Sequence, residues 1–598
     1  MTVSDTPFSR IQQRLVRGEL IAASRDIDTW MALAPADAGA FTAQAFLLRL
    51  CGRYQDAAKA LERALEIDSR FAPSLIEMAR LALHDGERDR AFAAYEKAHD
   101  YAPDETQWFD EWVGTLLDAG RVDEAARVAM QWCALEPAAP QAWFQLGLSH
   151  HRCDAYGLAL EAYQRAQLLA PDHPMLSNNL SALRYTMGDY VASLRLCTEA
   201  VRVEPDSALA WTNTSNAWLA LREPRNALLA AERACTLAPN YVSAVLAQSN
   251  SLKELQRPHD AYDILVRAAQ VARDDAKIKW SVAMLQLLLG DYENGWINHE
   301  ARWTGSPELA KVEYFREKAV WRGEDLSGRA LLIWGEQGFG DALQFVRFVP
   351  QLAEQMRRVG GTLTYCCFEP LFPLFQRTLA PHGVRVLPND GTLLPEFDFH
   401  LPVGSLPWVL GVTLATLPAP LRYLKADRAG VARWEANLPR NGRLKVGLVW
   451  SGNRTHQRNP SRSVPPALYA QTFAGLPGVD FYSLQIDGAD EVAAMASQGL
   501  PVVDRTTQLT SFDETSALIC NLDLVITVCT SLAHLSGALG ARTWLLLDVS
   551  PHWVWMTGRA DSPWYPTLTL YRQAQYSDWS AVLQQVRTDL LKLLPSGA

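Results

Sequence analysis

No stretch of this 598-residue chain approaches about 18 uninterrupted apolar residues, so no helical membrane span is predicted. The first residues, MTVSDTPFSRIQQRL, lack the apolar core of a signal peptide. There is no lysine- or arginine-dense run and the net charge is −10, which argues against a nucleic-acid backbone as the main partner. The nine cysteines form no C-x-x-C pair and only Cys366 and Cys367 are neighbours, a usage that speaks against a disulfide framework or a zinc site. No clear metal-ligating cluster stands out. The P-loop pattern G-x-x-x-x-G-K-[ST] is missing. The stretch GEQGFG (335–340) has glycines at its first, fourth and sixth positions, which is not the dinucleotide-binding spacing. What remains is a globular chain of two to four domains, 48% hydrophobic and 20% charged, expected in the cytoplasm.

The first half carries a ruler. Pro103, Pro137, Pro171, Pro205 and Pro239 stand 34 residues apart, and Pro35 lies two periods before Pro103. Ala98, Ala166, Ala200 and Ala234 precede four of these prolines by five residues; Ala91, Ala125, Ala159 and Ala227 precede them by twelve. Small residues where paired helices touch, with proline after the second helix, form the tetratricopeptide-repeat signature. About seven repeats are expected from roughly residue 3 to 275, with an eighth half-formed around WSVAMLQLLLGDYENGW. Such repeats stack into a superhelix with a concave binding groove. Asn179 and Asn213 are one period apart, as are Asn216 and Asn250, so the four are candidates to clamp the backbone of a protein acceptor. The same positions also suit a solvated helix face.

After about residue 326 short apolar strands alternate with helices: ALLIWG, TLTYCC and VRVLP, then KVGLVWSG, DFYSLQ, LVITVC and TWLLLD. The fold class expected is an α-solenoid followed by two α/β lobes. The segments are a repeat superhelix over 1–275, a helical connector over 276–325, a first lobe over 326–425, a linker over 426–443 and a second lobe over 444–598. The final amphipathic helix, WSAVLQQVRTDLLKLL, is expected to close across the first lobe. Ligands of such lobes bind at the carboxyl ends of the strands.

Three strand-to-helix turns therefore matter. The first, GEQGFGD, holds Gly338, Gly340 and Asp341. The second, WSGNRTHQRNPSRSVP (450–465), offers Arg454, Arg458, Arg462 and Ser463. The third, ITVCTSLAHLSGALG (526–540), sets Thr530 and Ser531 at a helix start with His534 one turn on. Hydroxyls and free amides at a helix N-terminus suit an anion, and arginines suit phosphate or carboxylate. Thr530 and Ser531 also make ordinary caps, and His534 an ordinary core histidine.

These stretches, with SFDETSALICNLDLVITVC and RADSPWYP, resemble bacterial glycosyltransferases that couple tetratricopeptide repeats to a GT-B-type half. That half is akin to lipopolysaccharide heptosyltransferases and more distantly to O-GlcNAc transferase. The layout is most similar to the bipartite flagellin glycosyltransferases. The resemblance implies a metal-independent inverting enzyme without cofactor. It would move a nonulosonic acid, such as pseudaminic acid, from a CMP donor to serine or threonine of flagellin. It also implies that Asp341 is the catalytic base and that Cys529, Thr530, Ser531 and His534 form the donor-phosphate turn, with Cys529 where the family has aspartate.

Two readings of Asp341 stand at this level. Asp341-Ala342-Leu343-Gln344 is close to a capping box with Asp341 as N-cap and Gln344 reaching back. As a base, Asp341 stands at the crevice mouth, with Glu336 as reserve. A lipopolysaccharide or other glycan acceptor, or a binding scaffold whose second half is inactive, are the competing functions. Trp553, Trp555 and Trp564 suit either a donor-pocket lining or packing between lobes.

Overall fold

The computed structural model describes residues 6–173, 175–306, 309, 318–391 and 393–594. Eight helix pairs run from Pro7–Val16 with Leu20–Leu33 to Val242–Glu254 with Pro258–Val271, one more than the ruler suggested. A ninth follows, Ala276–Leu289 with the short Tyr292–His299. Of the expected connector, residues 307–308 and 310–317 lie outside the described residues.

The period has two physical causes. Ala57, Ala91, Ala125, Ala159, Ala227 and Ala261 are wholly buried at one repeat position, and Ser193 fills the register between them at 1% exposure. A larger side chain there would overpack the helix contact. The second cause is the turn inside each pair. Gly18, Gly52, Gly86, Gly120 and Gly188 have positive φ in the same register. Three non-glycines, Asp154, Arg222 and Gln256, adopt that left-handed conformation too, at φ 58°, 65° and 58°. Each such residue costs about 1–2 kcal/mol. Their side chains do what a glycine could not: Asp154 Oδ1 accepts from the Tyr156 hydroxyl (2.8 Å), Arg222 Nη2 donates to the Pro460 carbonyl (2.8 Å) and Gln256 Nε2 to the Ala574 carbonyl (2.9 Å).

The chain divides into two compact units at Pro205/Asp206. This corrects the boundary expected at residue 275. The first unit holds six helix pairs. The second holds the remaining repeats together with both sheets, because they share one core. Leu228, Leu252, Leu265 and Leu285 of the repeats belong to the same apolar cluster as Phe345, Trp553 and Trp564. Trp296 packs edge-on against Trp553 at 5.4 Å, and Trp564 Nε1 donates to the Tyr292 hydroxyl (2.6 Å).

The first lobe is a four-stranded parallel sheet of β1 (Ala330–Trp334), β2 (Thr362–Cys367), β3 (Arg385–Pro388) and β4 (Phe399–Pro402), in the order β3-β2-β1-β4. The second lobe is a six-stranded parallel sheet of β5 (Leu444–Val449), β6 (Val479–Ser483), β7 (Val502–Asp504), β8 (Leu524–Val528), β9 (Thr543–Leu547) and β10 (Leu568–Arg572). Its order is β10-β9-β8-β5-β6-β7. Every residue of β8 and β9 is buried, as strands covered on both faces require.

Two local expectations change. The 426–443 linker contains a helix, Arg428–Asn437, whose Trp434 Nε1 donates to Glu514 (3.0 Å). The last helix, Ser580–Leu591, buries Val582, Leu583, Val586 and Leu590 in the second lobe's core with Tyr469 and Phe473, and does not close the first lobe.

The shared core sets an expected outcome for truncation. Residues 1–205 are expected to melt cooperatively as an isolated helical unit. Residues 1–275 would expose the leucines that normally face the sheets, and are expected to bind a hydrophobic dye and aggregate. Equal solubility and sharp melting of both fragments would contradict the shared-core account.

Candidate functional site

β1 and β8 belong to different sheets, and each feeds a helix through a short turn. After β1 the chain turns through Gly335–Gly338, with Gln337 held at φ 59°, and enters the helix Phe339–Phe345. After β8, Cys529 and Thr530 lead into the helix Ser531–Ala538. The two helix starts touch. A Cβ on Gly340 would stand 3.2 Å from His534 Cδ2 and 3.9 Å from Ser531 Cα. Glycine permits this approach, and it brings the carboxyl ends of the two sheets to one crevice.

Asp341 is not the N-cap. Gly338 holds that position, and Asp341 is the third helical residue, where its Oδ2 accepts the Gly338 N–H at 3.2 Å. That is the return half of a capping box. Gln344 is fully buried and does not reach back to the cap. Thr530 is an N-cap, accepting the Leu532 N–H at 3.2 Å. A first helical turn leaves further amides without intrahelical partners, and here one of them belongs to Ser531.

His534 is buried beneath this meeting point. Its Nδ1 lies 2.8 Å from the Tyr565 hydroxyl, whose ring fits because Gly537 has no Cβ. The proton arrangement follows from the neighbours. Tyr423 donates its single hydroxyl proton to the Leu343 carbonyl (2.7 Å) and accepts from Arg347 (3.1 Å). With Tyr565 as the donor to Nδ1, the neutral ring of His534 carries its proton on Nε2, the atom nearest Gly340 after Cδ2. Burial, followed by His552 and Arg347, pushes its pKa down to about 3. His534 is thus a neutral N–H donor at the crevice.

The three loop arginines separate. Arg454 is exposed and paired with Glu491 at 2.6 Å, a surface contact. Arg458 joins Glu254 of the repeats to Asp548 after β9 (2.7 Å) and to the Ser550 carbonyl (3.0 Å). Burial alone would weaken its charge, but the two carboxylates outweigh that and hold its pKa above the ordinary value. Its fork is already taken. Arg462 differs. Its guanidinium lies on Gly452, where a Cβ would fall 2.5 Å from Nη2. Its Nε is buried without a partner, and burial lowers its pKa while Cys529 and Asp548 oppose that. Among the described residues it has no hydrogen bond and no ion pair. Ser463 Oγ lies 3.1 Å from Ser451 Oγ, so it braces the loop.

Glu336 is corrected as the reserve base. It accepts both arms of the fully buried Arg302 (2.7 and 2.9 Å) and the Gly404 N–H (2.8 Å). A carboxylate so occupied is a structural ion pair. Asn213, Asn216 and Asn250 lie in the second unit, on the first helices of two successive pairs. Asn179 lies in the first unit and donates to its own helix at Met175 (2.9 Å). Cys529 Sγ accepts the Trp555 N–H at 3.1 Å, and burial pushes the thiol up. Trp553 and Trp564 are core, and Trp555 packs on His534 at 5.1 Å.

Several residues of the site carried no sequence signal. Asn459 shapes the arginine loop, accepting from the Gly452 N–H (2.8 Å) and donating to Ser451 (3.0 Å). Gln485 accepts the Ser451 N–H at 2.9 Å. Tyr565 and Asp548 act across the fold. No group of three or more metal-ligating side chains occurs among the described residues, and no described helix is long and apolar enough to cross a membrane.

Two outcomes follow for stability. Glu336→Gln leaves the buried Arg302 with Glu300 as its remaining counter-charge and is expected to cost about 1–3 kcal/mol in denaturant melts; an unchanged midpoint would contradict the ion-pair assignment. His534 has its folded pKa lowered from 6.5 to about 3, so the unfolded chain binds the proton first as pH falls. Its contribution is present above about pH 6.5 and is lost on acidification toward 3, at up to about 1.4 kcal/mol per pH unit. His534→Gln keeps an acceptor for Tyr565 and is expected to flatten that acid slope.

A tetratricopeptide-repeat family profile matches residues 114–174 and 180–242. Protein FlbA of Caulobacter vibrioides is 26% identical over 530 residues, spanning 78% of this chain and 87% of its own length. Anaphase-promoting complex subunit 6 of Arabidopsis thaliana is 22% identical over 196 residues, which is 32% of this chain and 30% of that protein. Among solved structures, the anaphase-promoting complex tetramer Cut9-Hcn1 matches with 17% identity and a TM-score of 0.35, covering 42% of this chain and 49% of that one. YrrB, described as a tetratricopeptide protein with an unusual peptide-binding site, matches with 20% identity and a TM-score of 0.28 over 32% of this chain and 98% of its own. The helical half of this chain is thus built of tetratricopeptide repeats, and the chain as a whole is similar to FlbA.

Proposed function

We propose that this chain is a protein O-glycosyltransferase with a GT-B-type catalytic half. In this reading it transfers a sugar from a nucleotide donor to serine or threonine of a protein held by the repeats. The observation that carries the reading is the Arg462 guanidinium, unpaired within reach of the turn that starts the Ser531 helix. A half-buried cation with no ion pair, in electrostatic range of Cys529 just before the Ser531 helix, is matched to a phosphate.

The chemistry then divides among residues already described. The acceptor hydroxyl oxygen attacks the anomeric carbon while the bond from that carbon to the donor phosphate oxygen breaks. The hydroxyl proton passes to the Asp341 carboxylate, at the start of the Phe339 helix across from Ser531. The negative charge left on the phosphate is taken up by Arg462, the Ser531 amide and His534, an arrangement of fixed dipoles and cations that needs no reorganisation during transfer. The family resemblance narrows the donor to a CMP-activated nonulosonic acid such as pseudaminic acid, and the acceptor to flagellin. One phosphate and one carboxylate on that donor suit arginine's planar fork. Asn213, Asn216 and Asn250, with Asn179 earlier in the repeats, are the acceptor contacts in this reading.

Asp341→Asn keeps an oxygen for the Gly338 N–H and removes the proton acceptor. It is expected to lower transfer about 10²- to 10⁴-fold while leaving the melting temperature and CMP affinity near wild type. The assay is intact-mass analysis of flagellin after incubation with protein and CMP-pseudaminic acid. Full sugar addition by the Asn variant would remove Asp341 from the chemistry. Wild-type protein that adds no sugar and binds no nucleotide would overturn the enzyme reading.

A further inference from the structure

The crevice has a wall that belongs to the repeats. The helix Val242–Glu254 ends beside the arginine loop, where Glu254 pairs with Arg458 and Gln256, just beyond, reaches the Ala574 carbonyl. Lys253 sits in this last turn, three residues after Asn250 and so on the same helix face. Asn216, Asn250 and Lys253 thus lie on the first helices of two successive pairs, and the second of these helices ends at the loop that carries Arg462.

Lys253 is half-buried by surface area, yet burial, followed by Arg458, pushes its pKa down to about 8 against the pull of Glu254. A half-buried ammonium that loses solvation gains from an anionic partner. The local charges do not balance. Lys253, Arg458 and Arg462 face two carboxylates, Glu254 and Asp548, and Arg458 holds both. The Lys253 side chain makes no hydrogen bond or ion pair among the described residues. Glu254, only 8% exposed, has its second oxygen, Oε2, buried with no donor. Consecutive residues on a helix point about 100° apart, so Lys253 and Glu254 do not satisfy one another.

We propose that the last turn of this repeat helix is part of the ligand site, with Lys253 binding an anionic group of the ligand and Glu254 Oε2 accepting one of its hydroxyls. The ligand class is a hydroxyl-bearing phosphate or carboxylate. Its identification as a glycosyl nucleotide rests on the function proposed above; the Lys253 contact does not. The repeats then take part in recognising the donor as well as the acceptor.

The test is a thermal-shift titration of the full chain with inorganic pyrophosphate, CMP and UDP, repeated for Lys253→Met and Lys253→Gln. Wild type is expected to be stabilised by at least one probe. Both variants are expected to bind that probe on the order of 10-fold more weakly while their ligand-free Tm stays equal or rises, since a desolvated cation has been removed. A structural role would do the reverse, lowering the ligand-free Tm with binding intact, and would overturn the proposal. So would a wild type that responds to none of the three probes. A Lys253-dependent response to pyrophosphate without one to CMP or UDP keeps this site and rejects the nucleotide reading. Lys253-independent binding of CMP keeps the nucleotide reading and rejects this site.

Discussion

The close approach of the Phe339 and Ser531 helices at Gly340 is the contact on which the crevice depends. A Cβ at that position would press on the His534 ring at 3.2 Å, and the ring would have to give by a few tenths of an ångström. The approach also explains why His534 is neutral. Its ring is closed in by Trp555 and Tyr565, and Tyr565 in turn occupies the space left by Gly537. Two glycines thus fix the place of one histidine ring at the crevice.

Charge organises the other side. Arg458 is a hub: it ties a repeat helix to the second lobe through Glu254 and Asp548. Because it uses both carboxylates, Arg462 and Lys253 remain without them. Buried ion pairs add little net stability, but breaking one leaves an uncompensated charge, so the arrangement specifies geometry more than it stabilises the fold. The strained Arg222 and Gln256 turns serve the same junction, accepting left-handed backbone to place two more hydrogen bonds on the second lobe. Repeats and lobes in this unit share one core, so movement at the groove is coupled to the site through packed side chains.

Much of this was legible in the residues. The prolines and alanines reveal the repeats because helix contact excludes larger side chains on a fixed period. The strands ALLIW, TLTYCC, LKVGLV and LVITV stand out because both faces are covered. β4, β7 and β10 are edge strands, and β4 and β7 are too short for alternation to reveal them. The frame at Asp341 slipped by three residues because glycine caps a helix without a side chain, so the aspartate was the only visible cap. Glu336 looked available because its partner, Arg302, lies 34 residues away in a different element. Of the three arginines on one loop, spacing could not distinguish the surface pair, the hub and the unpaired cation. That distinction comes from carboxylates on β9 and on a repeat helix, which only the tertiary fold brings near.

The most direct measurement is a crystal structure of the full chain grown with CMP. The account requires the phosphate to lie within hydrogen-bond reach of the Arg462 guanidinium and the Ser531 amide, with the nucleoside in the crevice between the sheets. CMP bound elsewhere, with Arg462 turned to a protein carboxylate, would contradict it.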